Sequence, residues 1–388
     1  MQVTKLFHDF FESEKAGGLV LVACTIVSLI LANTAWQNEY LHLWHMQIAG
    51  NSFAHWIDDG LMAIFFLLVG LELEREVYQG ELSSLKNAAL PALGALGGML
   101  VPAGIFLLLN YGTATQAGAG IPMATDIAFA IGVLSLLGNR VPASLKVFLT
   151  ALAVIDDLGA ILVIAVFYTD TIHFAWLAAA GGIFIALLIF NRLKIHHFLP
   201  YLIGGVALWY CMLHSGVHAT IAGVLLAFAI PFGDGSEKTL SYKLQHLLHK
   251  PVAFIILPLF ALANTSIAID SSWNESLTHI NSIGIIAGLV LGKPIGILLF
   301  SFIAVKTGLG SLPNDLRWKH LTGAGLLGGI GFTMSIFITL LAFSSNNELI
   351  AASKIAILLA SVIAAIAGFL WLNKAITKPV KNETTATS

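Results

Sequence analysis

Long apolar runs separated by short polar connections dominate the pattern along this 388-residue chain. A helix needs about 20 mostly apolar residues to span a bilayer, and twelve runs approach or reach that length. The pattern therefore predicts an all-α polytopic membrane protein, a single integral membrane domain with about 12 transmembrane helices. The predicted spans are about 17–33, 54–73, 88–109, 120–138, 143–168, 174–190, 199–213, 216–231, 251–269, 281–304, 321–343 and 349–372, followed by a tail at 373–388.

Composition supports a membrane protein. Hydrophobic residues make up 57% of the chain and charged residues only 10%, whereas soluble domains carry roughly a quarter charged residues. A net charge of -2 gives no reason to expect a nucleic-acid partner. Cys24 and Cys211 both lie in apolar runs, where packing is the expected role and neither a disulfide framework nor a metal-ligand spacing is present.

The distribution of basic residues predicts the orientation of the spans. If the N-terminus is cytoplasmic, all but two of the 19 Lys and Arg fall on inside segments, as the positive-inside rule requires. The exceptions are Lys354, on the outside, and Lys293, within a span. We therefore expect both termini to be cytoplasmic.

The first outside connection, residues 36–53, carries alternating apolar and polar residues from Tyr40 to Ile48, followed by Gly50-Asn51. This alternation allows a short β-hairpin. Because an isolated two-stranded hairpin is marginal in water, pairing with a second copy of the chain would stabilise it. A plain interfacial loop with an aromatic anchor fits the same residues.

Two predicted spans have unusual residues inside them. Span four opens with a proline, a threonine and a carboxylate, Pro122, Thr125 and Asp126, and span eleven holds Gly328, Gly329 and Gly331 at its centre. Each glycine costs about 1 kcal/mol in a helix relative to alanine, so span eleven is predicted to unwind there, and span four is predicted to be interrupted to match. They are the middle members of spans 3–5 and 10–12, which run in opposite directions as inverted repeats. Broken helices at matching places in inverted repeats are typical of secondary-transporter binding sites, although glycines also form packing surfaces between membrane helices.

Four ionisable residues are predicted to lie deep in the membrane: Asp126, Asp156, Asp157 and Lys293. Ionisable groups at that depth are costly and usually mark an ion or proton route. A structural ion pair explains Lys293 and one aspartate, but it leaves two further carboxyl groups. Neighbouring residues on a helix point about 100° apart, so Asp156 and Asp157 are expected to have different roles.

Oxygen ligands without a histidine or cysteine cluster favour a hard monovalent cation over a transition metal. Carboxylates, the Thr125 hydroxyl and freed backbone carbonyls are the candidate ligands of Na⁺ or Li⁺. A buried carboxyl group that binds either a proton or such a cation, but not both, can exchange one for the other. Apart from the transported ions, no cofactor is predicted.

Six motifs resemble the NhaA sodium/proton antiporters of bacterial inner membranes, in the same order from Gly17 to about Leu372. This family is itself among the secondary transporters in which broken helices in inverted repeats are known. The motifs are Phe65-Phe-Leu-Leu-Val-Gly-Leu-Glu72, Ala124-Thr-Asp-Ile-Ala-Phe129, Ala153-Val-Ile-Asp-Asp-Leu-Gly159, Ser215-Gly-Val-His-Ala-Thr220, Gly292-Lys-Pro294 and Gly329-Ile-Gly-Phe-Thr-Met-Ser-Ile336.

The resemblance implies an electrogenic antiporter, not an enzyme, which extrudes Na⁺ or Li⁺ in exchange for a larger number of protons. It implies that Asp157 is the main cation ligand, that Asp156, Asp126 and Thr125 contribute, and that Lys293 is the partner of Asp156 or a proton carrier. It also implies a homodimer formed through the external hairpin at 36–53, and activation by alkaline pH.

Positions linked to pH sensing in this family correspond here to Glu72, Glu76 and His218. Ordinary surface ion pairs are the alternative for the two glutamates, and a hydrogen-bonded core histidine is the alternative for His218. Gln245 stands where the best-known family pattern has a glutamate, and an amide cannot titrate. The pH threshold is therefore expected to differ or to depend on other residues.

Three other functions fit part of the pattern. A Na⁺ symporter, or an antiporter of a larger substrate, would need more polar residues in the deep spans. An intramembrane aspartyl protease needs two aspartates on facing helices, whereas the close pair here is on one helix. A cation channel would be opposed by the intramembrane Lys293.

Overall fold

The computed structural model describes residues 5–169, 171–269 and 273–376, with backbone alone for 5–14, Leu85 and Asn139. All twelve predicted apolar runs fall mainly on helical residues. The α-helices are α1 (Lys5–Leu31), α2 (Gln37–His45), α3 (Phe53–His55), α4 (Met62–Tyr78), α5 (Leu85–Asn110), α6 (Ile127–Ser135), α7 (Ala143–Phe167), α8 (Phe174–Arg192), α9 (Phe198–Leu213), α10 (Ile221–Ala229), α11 (Leu240–Pro251), α12 (Leu257–Asn264), α13 (Trp273–Thr278), α14 (Ile280–Ala287), α15 (Lys293–Lys306), α16 (Trp318–Gly328), α17 (Phe332–Ala342) and α18 (Asn347–Ala375).

Shorter helical segments connect several of these helices. Three π-helical segments occur at Trp56–Leu61, Val252–Ile256 and Gly288–Gly292, each joining two α-helices into one continuous rod. Segments of 3₁₀ helix occur at Glu81–Ser83, Gln116–Met123 and Gly138–Arg140. The last part of the predicted cytoplasmic tail, 377–388, lies outside the described residues.

Seven helices in the described ranges are long and apolar enough to cross a membrane, and an eighth is obtained if α16 and α17 form one bent span. The other predicted spans are shorter or carry more charge, as in α4 with its glutamates near the end. The protein is therefore a multi-pass, mainly helical membrane protein. The total of twelve spans remains a prediction.

Two of the predicted spans have different bounds in the structure. Span nine, predicted to begin at 251, belongs to a rod that begins at Leu240 and ends at Asn264. Pro251 lacks a backbone N–H, and the π-helical turn that follows it accommodates this loss without ending the helix. Span eight is helical only over Ile221–Ala229, because Gly216 adopts a positive φ of 84° before it.

The predicted hairpin region is mostly helical. Residues 37–45 form α2, and the ribbon is limited to β1 (Gln47–Ile48) and β2 (Asn51–Ser52), paired antiparallel. Helical spacing lets Tyr40 and Trp44 lie edge to face at 5.6 Å, while Trp44 stacks on Phe53. Burial of Trp44 thus prevails over the alternating pattern, and the extended strand expected from Tyr40 to Ile48 is wrong over residues 40–45.

Close backbone approaches hold the spans around the site. α5 packs along α15, and a Cβ added to Gly97 would lie only 2.2 Å from the carbonyl oxygen of Gly296. α16 and α17 pack against α18, and α7 lies against α4, α5 and α6. The middle of α7 is therefore enclosed on several sides, which places Asp156 and Asp157 inside the bundle.

Candidate functional site

The first break lies in span four. The 3₁₀ segment ends at Met123, the backbone is extended from Ala124 to Asp126, and α6 then begins. Pro122 cannot donate the backbone hydrogen bond that would continue an α-helix. The carboxylate of Asp126 caps α6 by accepting a hydrogen bond from the Phe129 amide at 2.9 Å, which satisfies one of the free amides of the new helix.

The second break lies in span eleven. α16 ends at Gly328, α17 begins at Phe332, and the two helices are inclined by 44°. A Cβ at Gly329 would lie 2.4 Å from the carbonyl oxygen of Leu289, so only glycine fits there without displacing the backbone. Both predicted interruptions are therefore present in the structure.

The two breaks meet and bond to one another. The Asp126 amide donates to the carbonyl of Ile330 at 2.7 Å, and the Thr125 hydroxyl lies 2.8 Å from the carbonyl of Gly328. The Asp126 carboxylate accepts from both the amide (3.0 Å) and the hydroxyl (2.5 Å) of Thr333. Backbone groups freed by each break are thus satisfied by the other, which hydrocarbon surroundings require.

Lys293 lies at the start of α15 and is fully buried. Its ammonium group donates to Asp156 Oδ2, and also to the Thr125 hydroxyl at 2.9 Å. The Thr125 hydroxyl lies 2.7 Å from the same Asp156 oxygen. It has a single proton, so it can donate to Asp156 or to Gly328 but not to both at once. These residues form one compact polar group in which Asp156 is the partner of the lysine.

Asp157 lies next to this group but is not bonded into it in the same way. Its side chain is 1% exposed, and its Oδ1 has no hydrogen-bond partner in the described part of the chain. Asp156, Asp126 and Lys293 are close enough to influence it electrostatically. Oδ1 of Asp156 also lacks a partner, so the two adjacent aspartates differ in their cation pairing: Asp156 bonds to Lys293 through Oδ2, and Asp157 has no such bond.

The deep carboxyl groups are not gathered round a single point. Over residues 5–169, 171–269 and 273–376, no three Asp, Glu, His or Cys side chains converge as they would around a metal ion. Both oxygens of Asp126 already accept hydrogen bonds. A cation at Asp157 would therefore draw its other ligands from hydroxyl and carbonyl oxygens, or would require Thr333 to release Asp126.

The predicted pH-sensing glutamates lie in the last two turns of α4, and Glu72 faces α11. Glu72 is 3.9 Å from His249 Nδ1, and Arg75 donates to the amide oxygen of Gln245 at 3.4 Å. Glu76 accepts from the amide of Glu81, and burial raises the pKa of Glu76. The structure thus places Glu72 at the interface of α4 with α11 and Glu76 against the connection that follows α4.

His218 lies elsewhere, beside the end of α7. Its Nε2 is 2.8 Å from the carbonyl oxygen of Tyr168, and a carbonyl can only accept, so this nitrogen carries the proton. The Tyr168 hydroxyl in turn donates to the carbonyl of Ala117 and accepts from the amide of Gly120. His218 is therefore connected to the first half of broken span four, a link that the sequence did not indicate.

Two serines that the sequence reasoning missed also support the broken helices. Ser335 donates to the carbonyl of Ile121 at 2.7 Å, and Ser361 accepts from the Phe332 amide at 3.2 Å. Ser335 could have been found from its position in the Gly329–Ile336 motif. Ser361 gave no such signal, because a serine in an apolar helix commonly bonds to its own backbone.

Comparisons with known proteins agree with the motifs. The family model described as Na+/H+ antiporter 1 matches residues 8–372. The Na(+)/H(+) antiporter NhaA 1 of Flavobacterium johnsoniae is 65% identical over 377 residues, which cover 97% of this chain and 99% of that relative. The Na(+)/H(+) antiporter NhaA of Cytophaga hutchinsonii is 61% identical over 385 residues, 99% of each chain. The solved sodium proton antiporter MjNhaP1 of Methanocaldococcus jannaschii matches with a TM-score of 0.54 at 16% identity, covering 96% of this chain and 100% of that one, which shows a shared fold.

Proposed function

The chain belongs to the Na+/H+ antiporter 1 family, and we propose from that premise that it is an electrogenic, pH-activated antiporter of Na⁺ or Li⁺ against protons. It works in a bacterial inner membrane as twelve spans with inverted repeats and cytoplasmic termini. The homodimer forms through the external ribbon within residues 36–53. Its role is sodium and pH homeostasis.

The observation that carries the proposal is the different pairing of Asp156 and Asp157. Lys293 and Thr125 both bond to Oδ2 of Asp156, whereas the Asp157 side chain makes no hydrogen bond within the described residues, although Oδ1 of Asp156 also lacks a partner. Asp157 is therefore the group for which Na⁺ and H⁺ compete. When Na⁺ or H⁺ neutralises the carboxylate, the binding site can switch from one side of the membrane to the other. The bare carboxylate opposes this switch, because burying an uncompensated charge is costly.

The excess of protons over Na⁺ comes from the pair beside Asp157. Deprotonated Asp157 binds Na⁺ from the cytoplasm and releases it outside, where a proton replaces it. A second proton is carried by the Lys293–Asp156 pair, which opens and closes during the cycle. More than one proton then enters for each Na⁺ that leaves, so net positive charge moves inward. The titration belongs to the coupled groups and not to one residue.

Activation at alkaline pH is assigned to the groups at the α4–α11 interface and to His218. Glu72 on α4 lies beside His249 of α11, and Glu76 bonds to the amide of Glu81 in the connection after α4, so a change in their charge alters the packing at this end of α4. His218 bonds to the Tyr168 carbonyl, and the Tyr168 side chain holds the 3₁₀ segment of span four. A change at either place can thus reach the broken spans.

Transport in everted membrane vesicles tests the exchange itself. A proton gradient is imposed, and Na⁺ or Li⁺ is then added. The parent protein should dissipate the gradient, Asp157→Asn should abolish the response, and Asp315→Asn, which changes an exposed loop acid, should retain it. An absence of response in the parent protein, at every pH from mildly acidic to alkaline, contradicts antiport. Unchanged activity in Asp157→Asn removes Asp157 as the ligand.

The electrogenic claim has its own measurement. Proteoliposomes without a pH gradient are given a membrane potential, positive outside, by a potassium diffusion gradient. An unequal exchange must respond to this potential with Na⁺ efflux. Efflux that is insensitive to the sign of the potential contradicts a stoichiometry of more than one proton per Na⁺.

A further inference from the structure

A second polar cluster lies in the membrane part of the protein, apart from the deep aspartates. The Asn264 side chain donates to Asp58 Oδ1 at 2.7 Å and accepts from the ammonium group of Lys354 at 3.2 Å. One amide therefore bridges a carboxylate and a lysine, and the two bonds fix its orientation. Asn264 is 3% exposed, while Asp58 and Lys354 are partly exposed.

Three separate spans supply these residues. Asp58 is in the π-helical segment before α4, Asn264 is the last residue of α12, and Lys354 is in the second turn of α18. All three lie toward the predicted outer face, and Lys354 is the one Lys or Arg of the whole sequence that the span count places outside. The two hydrogen bonds of this cluster involve no residue of the deep site.

Few other charges face this carboxylate. The groups near enough to act on Asp58 are Lys354, from α18, and Asp59, its neighbour in the same segment. Asp59 pairs instead with His55 at 3.3 Å, and the segment of α12 that packs here, Leu257–Asn264, has no titratable side chain. An acid in a membrane protein either keeps a cationic partner or takes up a proton. For Asp58 the choice depends on its burial, on the hydrogen bond from Asn264 and on the charge of Lys354.

We propose that Asp58 is a second protonatable site, near the outer face, which takes protons from the external medium before they reach the deep aspartates. Its ligand is the proton, and Asn264 and Lys354 are the positioning residues that set when it binds. This inference rests on the proposed antiport, because it names the entry point of the protons that replace Na⁺.

The test measures Na⁺ efflux from right-side-out vesicles as the pH of the external medium is varied. Asp58→Asn removes the proton site and should require an external proton concentration about tenfold higher for half-maximal efflux. Lys354→Gln removes the nearby positive charge, so Asp58 retains its proton to higher pH and the profile should move in the opposite direction by about tenfold. Everted vesicles, which expose the cytoplasmic face to the medium, should show unchanged profiles.

A double variant separates proton binding from a simple change in local charge. If Asp58 and Lys354 act only through the field at the deep site, removing both charges restores the parent profile. If Asp58 binds the proton, the double variant lacks the carboxyl group whose proton affinity Lys354 sets. It should then have the same pH profile as Asp58→Asn alone. Glu348→Gln, which changes an exposed acid at the start of α18, is the matched charge control.

The possible results are distinguishable. A double variant that returns to the parent profile, or an unshifted Asp58→Asn, overturns the proton site. If Asp58→Asn does not fold, Lys354→Gln must still shift the external profile toward higher pH, and no shift overturns the proposal. Absence of Na⁺/H⁺ exchange in the parent protein is instead a failure of the proposed function.

Discussion

At the scale of single residues, the Thr125 hydroxyl connects the deep charged residues to the point where the two broken spans meet. It lies within hydrogen-bond distance of Asp156, Lys293 and the carbonyl of Gly328. Hydrogen bonds to charged groups contribute about 1.5–3 kcal/mol each. A single methyl group in place of this hydroxyl would leave charged and polar neighbours with fewer partners.

Thr125→Val should therefore raise the apparent KM for Na⁺ by about tenfold or more, while Thr125→Ser should stay close to the parent. Cation-dependent dissipation of a proton gradient measures this. Thr150→Val is the control, because the buried Thr150 hydroxyl on α7 has no hydrogen-bond partner among the described residues. Equal effects of the valine at both positions would contradict a role for the hydroxyl of Thr125.

Glu74 provides a pH-dependent prediction outside the predicted span 54–73. It is 7% exposed, its Oε2 has no hydrogen-bond partner in the described residues, and burial raises its pKa from 4.5 to about 7 despite a hydrogen bond with Ser241. A raised carboxyl pKa means that the folded state binds the proton more tightly than the unfolded state. Stability then falls as pH rises from 4.5 through about 7 and remains lower above it.

Glu74→Gln should remove this loss of stability, which amounts to at most about 3 kcal/mol in the free energy of unfolding at alkaline pH. The melting temperature of the purified protein in detergent should rise relative to the parent at about pH 9 and match it near about pH 4.5. Glu237→Gln, in an exposed loop, should show no such difference. A gain of equal size at both pH values would indicate packing, not ionisation.

At this scale the sequence predicted which residues are deep but only part of how they pair. Three acids and one lysine in apolar runs could be recognised from hydropathy alone. Helix geometry said that Asp156 and Asp157 differ, and only the family resemblance assigned Lys293 to Asp156. The Asp58–Asn264–Lys354 bridge was not predicted, because its partners are separated by 206 and 90 residues and hydropathy gives depth but not neighbours.

At the scale of elements, the breaks were predictable and the outer connection was less so. Pro122 and three glycines in four positions act locally, so their effect on a helix can be read from the sequence. The helix α2 could not be predicted in this way, because it depends on contacts with distant residues. Trp44 stacks on Phe53, and the Tyr40 hydroxyl lies within hydrogen-bond distance of Ser28 and of the Leu262 carbonyl. The alternation of residues 40–48 favours a strand only if those contacts are ignored.

Gly329→Ala tests the break of span eleven. The new Cβ would overlap the Leu289 carbonyl at 2.4 Å, so the backbone must shift, at a cost of about 1–3 kcal/mol, and the bond between Asp126 and Ile330 next to it would be strained. We expect a lower melting temperature and a large loss of transport. Gly181→Ala on α8, where a Cβ meets nothing within 4 Å, should keep full transport. Full transport by Gly329→Ala would show that the close approach is not needed.

At the scale of the whole molecule, the mainly helical multi-pass fold followed from the sequence, because it depends on sums over many residues, and the orientation predicted in the same way stays a prediction. The number of basic residues on each side and the lengths of the apolar runs are counted over the whole chain, so an error at one span boundary changes them little. The relative arrangement of the spans did not follow in the same way. Close contacts such as that between Gly97 and Gly296 involve backbones nearly 200 positions apart along the chain, and glycine content alone does not say which partners meet.

The proposed dimer can be tested at Ile48, which is 40% exposed on the ribbon. In a background with Cys24→Ser and Cys211→Ser, Ile48→Cys should form a disulfide-linked dimer in membranes treated with a mild oxidant. Ser345→Cys, in the exposed connection between α17 and α18, should remain monomeric. Cross-linking at both positions would reflect random collision, and none at Ile48 would contradict pairing through the ribbon.

The long sequence separations at the deep site have a consequence for synthesis of the protein. Asp156 finds Lys293 137 residues later, and Asp126 finds Thr333 207 residues later. Since the first half of the chain is translated before Lys293 and Thr333, only its own partners, the Phe129 amide for Asp126 and the Thr125 hydroxyl for Asp156, are available to these acids until then. A nascent chain that stalls before residue 293 therefore contains the three deep acids without the lysine that pairs with one of them, and a chain that stalls before residue 333 also lacks the Thr333 partner of Asp126. Such an intermediate differs chemically from the finished protein.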